Sequence, residues 1–319
     1  MVMKLFRQKI ILNLLLLVCF TYLNAQKVKV KIDSNEVSFT EGIDRILCYQ
    51  FAEKSIDGTS VYSNYVHPLY NLDGSVLTEN TPPDHPHHRG VFWAWHQLYI
   101  GDKRIGDGWE RKDLHWDVVN IKTKKEKKGG KTIQATIEWK SPLRIDGKGN
   151  EKAIAQEITT IKVFPKTEHY RQINFTISLR ALEPNMRIGG SEDAKGYGGF
   201  SPRIKLVKGI QFTGADGIVE PNNLPVKADG WLDISGAIGQ NNSLAGLTIL
   251  CHPNNPGFPN PWILRSERSM QNAVYPYPGA IPVPLSQTTP TTLQYALLVH
   301  DGDATTLDIQ KIYDDYSKN

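Results

Sequence analysis

The stretch His169-Tyr-Arg-Gln-Ile-Asn-Phe-Thr-Ile-Ser-Leu-Arg-Ala-Leu182 decides the fold class. Ile173, Phe175, Ile177 and Leu179 recur at every second position, so they share one face of an extended strand. The same period runs through Lys27–Ile32 and through Thr132–Trp139, where Ile133, Ala135 and Ile137 share a face. Ile154–Phe164 is rich in Thr, Ile and Val, and Leu247–Cys251 and Leu293–Val299 are apolar runs of buried-strand length. Turn residues separate these pieces: Lys128-Gly-Gly-Lys131, Asp146-Gly-Lys-Gly-Asn150 and Gly214-Ala-Asp-Gly217. Helical spacing occurs at the end, where Thr305, Ile309, Ile312, Tyr313 and Tyr316 follow Asp303 as a candidate cap. The expectation is an all-β chain: a large antiparallel β-sandwich with one C-terminal helix. Asn254–Pro261 and Tyr275–Pro284 read as loops, because proline removes a ladder donor. No internal repeat or linker divides residues 26–319, which read as a single domain.

The first residues read as a targeting segment. Lys4, Arg7 and Lys9 precede the apolar run Ile10–Phe20, and Leu23-Asn-Ala25 offers a small-residue cleavage site before Gln26. The run is too short for a permanent span. Residues 1–25 are therefore expected to be a cleaved signal peptide, the mature chain being secreted or periplasmic without stable membrane insertion. The sequence carries 37 Lys and Arg against 33 Asp and Glu, and removing the three signal cations leaves it nearly neutral. That balance gives no electrostatic footing for nucleic acid. The basic run Lys122–Lys131 reads as a solvated hairpin loop. Cys48 and Cys251 are the two mature cysteines, and an exported setting allows either a disulfide or two buried thiols.

The densest chemistry is Asp84-His-Pro-His-His-Arg-Gly90, leading into Val91-Phe-Trp-Ala-Trp-His-Gln-Leu-Tyr99. Three of nine histidines fall within four residues, which favours a site over scattered structural roles. In extended geometry His85 and His87 point one way and His88 the other. The His-x-His spacing of His85 and His87 suits a divalent metal (Zn, Mn or Ni), with Asp84 as the nearest carboxylate. On a strand, His96 shares a face with Phe92, Ala94 and Leu98, while Trp93, Trp95 and Tyr99 share the other. Flat aromatic faces with polar neighbours suit a sugar ring. A second cluster is Gly189-Gly-Ser-Glu-Asp-Ala-Lys-Gly-Tyr-Gly-Gly-Phe200, followed by Ser201-Pro-Arg203. Its five glycines free the backbone, and Glu192, Asp193 and Lys195 are raw material for acid–base work. It matches neither G-x-G-x-x-G nor a P-loop, so no nucleotide is expected. A third cluster runs from Leu250 to Arg265, with His252 at a strand end before Pro253 and with Trp262 and Arg265 downstream. No G-x-S-x-G elbow supports Ser235 as a nucleophile.

His85-Pro-His-His-Arg-Gly90 with His96 downstream, Lys195-Gly-Tyr-Gly-Gly199, Trp231–Gly236 and His252-Pro-Asn-Asn leading to Trp262 resemble the DUF6807, or "PmoA-like", family from about Asp44 onward. The second label borrows the name of a methane monooxygenase subunit. That subunit is an integral membrane protein, and no comparable apolar run exists in the mature chain. The resemblance instead implies a sandwich similar to galactose-mutarotase-like folds and a carbohydrate setting. A mutarotase's own histidine signature and late catalytic Glu have no counterpart here. Ile100-Gly-Asp-Lys103 and Gly108-Trp109 stand where many members carry an Asn-Gly turn and a Phe-Trp pair.

The combined expectation is an enzyme acting on a small sugar, an oligosaccharide or an oxidised (keto) sugar by hydrolysis, elimination or epimerisation. A non-catalytic carbohydrate-binding protein is the alternative. His87 and His88 are expected at the reacting centre, Glu192 or Lys195 as the second proton-transfer group, and His252 across the cleft. Arg89 and Arg203 would hold an anionic or carbonyl oxygen. Trp95, Trp109 and Trp262 would stack on the ring, with His96 and Arg265 also touching substrate.

Overall fold

A computed structural model describes residues 27–55, 58 and 61–318. The expected signal peptide lies outside the described residues. Two large antiparallel sheets dominate. The eight-stranded sheet runs, in spatial order, Val28–Ile32, Glu36–Glu41, Asp44–Gln50, Tyr65–Leu69, Val91–Trp95, Gly198–Pro202, Asn272–Val274 and Trp262–Ile263. The nine-stranded sheet runs His115–Lys125, Lys131–Ile145, Glu151–Val163, Tyr170–Ala181, Thr291–Asp301, Ala245–Cys251, Trp231–Gly236, Gln211–Gly214 and Gly217–Ile218. A four-stranded sheet at one side contains Gln97–Ile100, Lys103–Gly106, Met186–Gly189 and Val283–Pro284.

The period-2 residues become the core between the large sheets. Ile173, Phe175, Ile177 and Leu179 meet Val91, Trp93, Trp95 and Phe200 from the facing sheet. Phe200 packs on Phe175 at 5.2 Å and stacks on Tyr295 at 4.5 Å, and Trp95 lies 5.6 Å from Trp139. Such ring pairs add to area burial. The outer faces carry their own smaller clusters. Phe92 and Ala94 join Tyr62, Tyr65, Trp109 and Met270 outside the eight-stranded sheet. Trp231, Leu250, Ala296 and Leu298 join Ile309 and Tyr316 outside the nine-stranded one.

Two local expectations change. The C-terminal helix spans Ile309–Ser317 and is capped by Asp308, whose side chain accepts from the Lys311 N–H. Asp303 instead caps an earlier turn, accepting from Thr305. The basic run is strand as far as Lys125, because Lys122, Lys124 and Lys125 are themselves paired with Gln134, Thr132 and Lys131, and only residues 126–130 form the turn. Cys48 and Cys251 are both free thiols. Burial pushes each thiol up to about 12, so neither is a thiolate at neutral pH. Among the described residues no helix is long and apolar enough to cross a membrane.

One carboxylate sits inside this core. Glu157 is fully buried and accepts from Asn64 Nδ2 (2.8 Å), Trp93 Nε1 (2.7 Å), Trp139 Nε1 (2.9 Å) and Thr159 Oγ1 (2.6 Å). Burial pushes its pKa up, and the four donors pull against that rise. Glu157→Gln would turn an amide N–H₂ toward donors. The expected result is a loss of about 2–4 kcal/mol in urea unfolding followed by tryptophan fluorescence.

Candidate functional site

The histidine motif folds as two successive turns, not as extended chain. His85 N–H donates to Pro82 O (3.0 Å), His88 N–H to His85 O (3.0 Å), and Thr81 N–H to His88 O (2.8 Å). Gly90 ends the turn with φ +51°, and a Cβ there would lie 2.0 Å from Val66 O, so only glycine fits. The turns overturn the expected split of the three imidazoles. His85 stacks on His88 at 4.6 Å, and His87 sits edge-on to His88 at 4.6 Å.

Buried cations hold this turn from behind. Arg203 donates to Glu79 (2.8 Å) and Asp84 (2.9 Å), and its Nη1 lies 3.3 Å from His88 Nδ1. Burial works against the Asp84 carboxylate, but His85 and Arg203 outweigh it and hold its pKa to about 2. Arg89 lies between the Phe92 and Trp116 rings and donates to His87 O at 3.3 Å. Burial brings its pKa down to about 9. Arg89 and Arg203 are thus 1 % and 2 % exposed, and they support the loop instead of gripping a substrate.

The strand Val91–Trp95 ends at a bend, and His96 is that bend. The next turn returns to it: Gly108 and Trp109 both donate to Trp95 O, and Asp107 bridges Lys112. Trp109 thereby stacks on His96 at 5.3 Å and meets His88 edge-on at 6.0 Å. Trp109 is 2 % exposed, so it is a platform for histidines and not a surface for a sugar. His96 Nδ1 is 3.1 Å from Asp107 Oδ2, which also takes Arg104 at 3.2 Å. A carboxylate only accepts, so Nδ1 carries the proton and Nε2 is the free position. His87 Nδ1 lies 3.3 Å from Glu110 Oε2. His87 and His96 keep 19 % and 15 % of their side chains exposed, so solvent reaches both.

The glycine-rich loop supplies the rim. A Cβ on Gly190 would lie 2.4 Å from Gly196 O, and one on Gly196 would lie 2.9 Å from Gly279 N, so neither position has room for a side chain. Glu192 is exposed and lies 3.6 Å from Arg104. Lys195 pairs with Asp193 at 3.6 Å, and its ammonium is 5.8 Å from the centre of the Tyr197 ring. Tyr197 in turn lies 5.6 Å from Trp109. Arg265 donates to the Tyr197 hydroxyl (2.6 Å) and to the carbonyls of Asn222, Asn223 and Leu264, so its fork is spent on positioning.

Three expected members lie elsewhere. Trp95 and Trp262 are core residues whose indole N–H groups bond Tyr275 O and Asp229 O. His252 follows core residue Cys251 and faces outward beside Tyr316, on the nine-stranded sheet and away from the other histidines. Among the described residues no group of three His, Cys, Asp or Glu side chains is placed to hold a metal, and the expected pair His85 and His87 meets edge-on with ring centres 5.7 Å apart. Asp107, Glu110, Arg104 and Tyr197 were missed, although Asp107-Gly-Trp-Glu-Arg111 carries an Asp-Gly turn signal.

A family model described as "Family of unknown function (DUF6807)" matches residues 36–314. The chain belongs to that family. No curated protein matches it. Among solved structures it is similar to a GH36 α-galactosidase, AgaA from Geobacillus stearothermophilus in complex with raffinose (10% identity, TM-score 0.32), covering 87% of this chain and 41% of that one. It therefore spans about two fifths of the α-galactosidase. It is also similar to YeaD from Salmonella typhimurium, a mutarotase by description only (9% identity, TM-score 0.29), over 88% of this chain and 92% of that one.

Burial, reinforced by neighbouring cations, lowers the His87 pKa to about 4 and the His88 pKa to about 2. His67, on the strand Tyr65–Leu69, is lowered to about 4, chiefly by burial. The unfolded chain takes up these protons first, so stability is full above the ordinary histidine pKa and falls as pH drops toward 4. The urea midpoint should fall between about pH 7 and about pH 5, and less steeply in a His87→Gln/His88→Gln variant, where His67 still titrates.

Proposed function

We propose that this DUF6807 protein is a secreted or periplasmic enzyme that moves protons on a sugar or oxidised sugar. The observation that carries the reading is the pair His87 and His96. Each imidazole has a carboxylate at its Nδ1 side, each is reached by solvent, and the two flank the contact between His88 and Trp109. Burial keeps His87 neutral at neutral pH, which suits it to accept a proton. Asp107 orients His96 through Nδ1, which turns Nε2 to substrate as the position that would return one. Such a pair serves epimerisation or elimination next to a carbonyl. Both reactions begin by removing a C–H proton to a base, and they differ in whether carbon or a departing oxygen receives the proton returned. Lys195 offers a cation at the rim for a carbonyl or carboxylate oxygen. The half-exposed Tyr197 ring offers a face for a sugar, and Glu110 and Glu192 offer acceptors for its hydroxyls.

The test is proton exchange in D₂O, followed by NMR on a panel of aldoses, uronates and keto-sugars. The protein should wash out one C–H signal of a substrate, and His87→Gln or His96→Gln should slow that loss by about 10²–10⁴-fold. Saturable binding with no exchange, untouched by either substitution, would instead make the chain a binding protein.

A further inference from the structure

A second concave surface lies on the opposite side of the sandwich. A cavity of about 470 Å³ sits between the outer face of the nine-stranded sheet and the C-terminal helix. That volume lies within the range of small-molecule sites. Its floor is built by strand register. Thr160 faces Thr176 and Lys162 faces Asn174 on neighbouring strands, and Thr176 faces Gln294 on the next. These side chains stand on aligned rungs, pointing away from the core. Gln172 extends the row and donates to Asn174 Oδ1 at 2.8 Å. Tyr170 and Tyr316 are the aromatic walls. The lining is therefore mainly amides and hydroxyls beside flat rings, with one cation, Lys162, and one carboxylate, Asp315, whose charges offset each other.

His252 adds an independent sign. Its ring lines the cavity, and the residue is 2 % exposed. Nδ1 accepts the Asn254 backbone N–H at 3.1 Å, so Nδ1 carries no proton. A neutral imidazole then has its proton on Nε2. That donor is buried and has no partner, and neither has the Tyr316 hydroxyl on the ring 5.3 Å away. Buried polar groups are nearly always satisfied, so two such orphans at one cavity point to a missing acceptor and donor. A sugar hydroxyl is both.

We infer that this cavity binds an uncharged saccharide ring, its hydroxyls held by Asn174, Gln294, His252 and Tyr316 and its C–H faces lying against Tyr170 or Tyr316. The site shares no residue with the histidine cluster and does not rest on the catalytic reading. It would hold part of a longer glycan, or a second glycan, on the far face of the protein.

Saturation-transfer NMR on the intact chain tests this with methyl β-D-glucopyranoside, methyl β-D-galactopyranoside, methyl α-D-mannopyranoside and methyl β-D-xylopyranoside. At least one should bind and shift the His252 Nε2–H resonance. Affinity should fall about tenfold or more in Asn174→Ala/Gln294→Ala, where two hydrogen-bonding side chains are lost from half-buried positions that do not threaten the fold. His87→Ala should leave the ligand-induced shift of the His252 Nε2–H resonance unchanged. The inference is overturned if none of the four binds, or if binding survives the double variant and disappears in His87→Ala, which would put all sugar binding at the histidine cluster.

Discussion

The Glu157 carboxylate is the interaction on which the two sheets depend. It projects from the nine-stranded sheet into an otherwise apolar core and gathers donors from both layers. Trp93 comes from the centre of the eight-stranded sheet, and Asn64 comes from the segment that enters it. Trp139 and Thr159 come from its own sheet. Asn64 is itself fixed by the Tyr49 hydroxyl at 2.8 Å. A buried charge is tolerable only when its lone pairs are filled, and filling them requires one relative position of the sheets. A second buried pair, Arg171 with Glu41 at 2.8 Å, ties the sheets again toward one end. The same Trp93 that serves Glu157 sets the pleat of Val91–Trp95. With Trp93 and Trp95 turned inward, Phe92 and Ala94 must face out, and the chain leaves the strand with His96 on the outer side. The inter-sheet clamp and the placement of the histidine site are thus two consequences of one strand register.

That register also explains how the site is layered. The turn of Asp84–Gly90 and the turn of Asp107–Lys112 both fold over the Phe92–Ala94 face. Between them lies Trp109, fully covered, holding His96 flat and His88 edge-on. Arginines lie behind the histidines and carboxylates lie beside them. Cations behind a buried imidazole keep it neutral, while a carboxylate at Nδ1 fixes its tautomer. The arrangement leaves His87 and His96 each partly open to solvent with a carboxylate at Nδ1.

The strands were legible because their period is local: Ile173 to Leu179 and Ile133 to Ile137 declare their inward face without help from the rest of the chain. The histidine cluster and the glycine-rich loop stood out by local composition, but the contact that brings Tyr197 of the loop to Trp109 is tertiary and left no local sign. Which aromatic rings faced solvent was not. Every residue of Val91–Trp95 is buried, so alternation separates Trp95 from Phe92 but does not say which side is the core. The His85–His88 turns depend on Arg203 and Asp84, over a hundred residues apart in the chain, and no local pattern reports such a contact. His252 was read as a site residue, and the structure gives it a cavity of its own on the other sheet, because the strand before it belongs to a different layer.

The most direct measurement is a double-mutant cycle on proton exchange with His87→Gln, His96→Gln and both together. If the two imidazoles act as one acid–base unit, the double variant is about as slow as the slower single variant, because either loss already disables the unit. Independent, multiplicative losses, or full exchange without either histidine, would contradict the account.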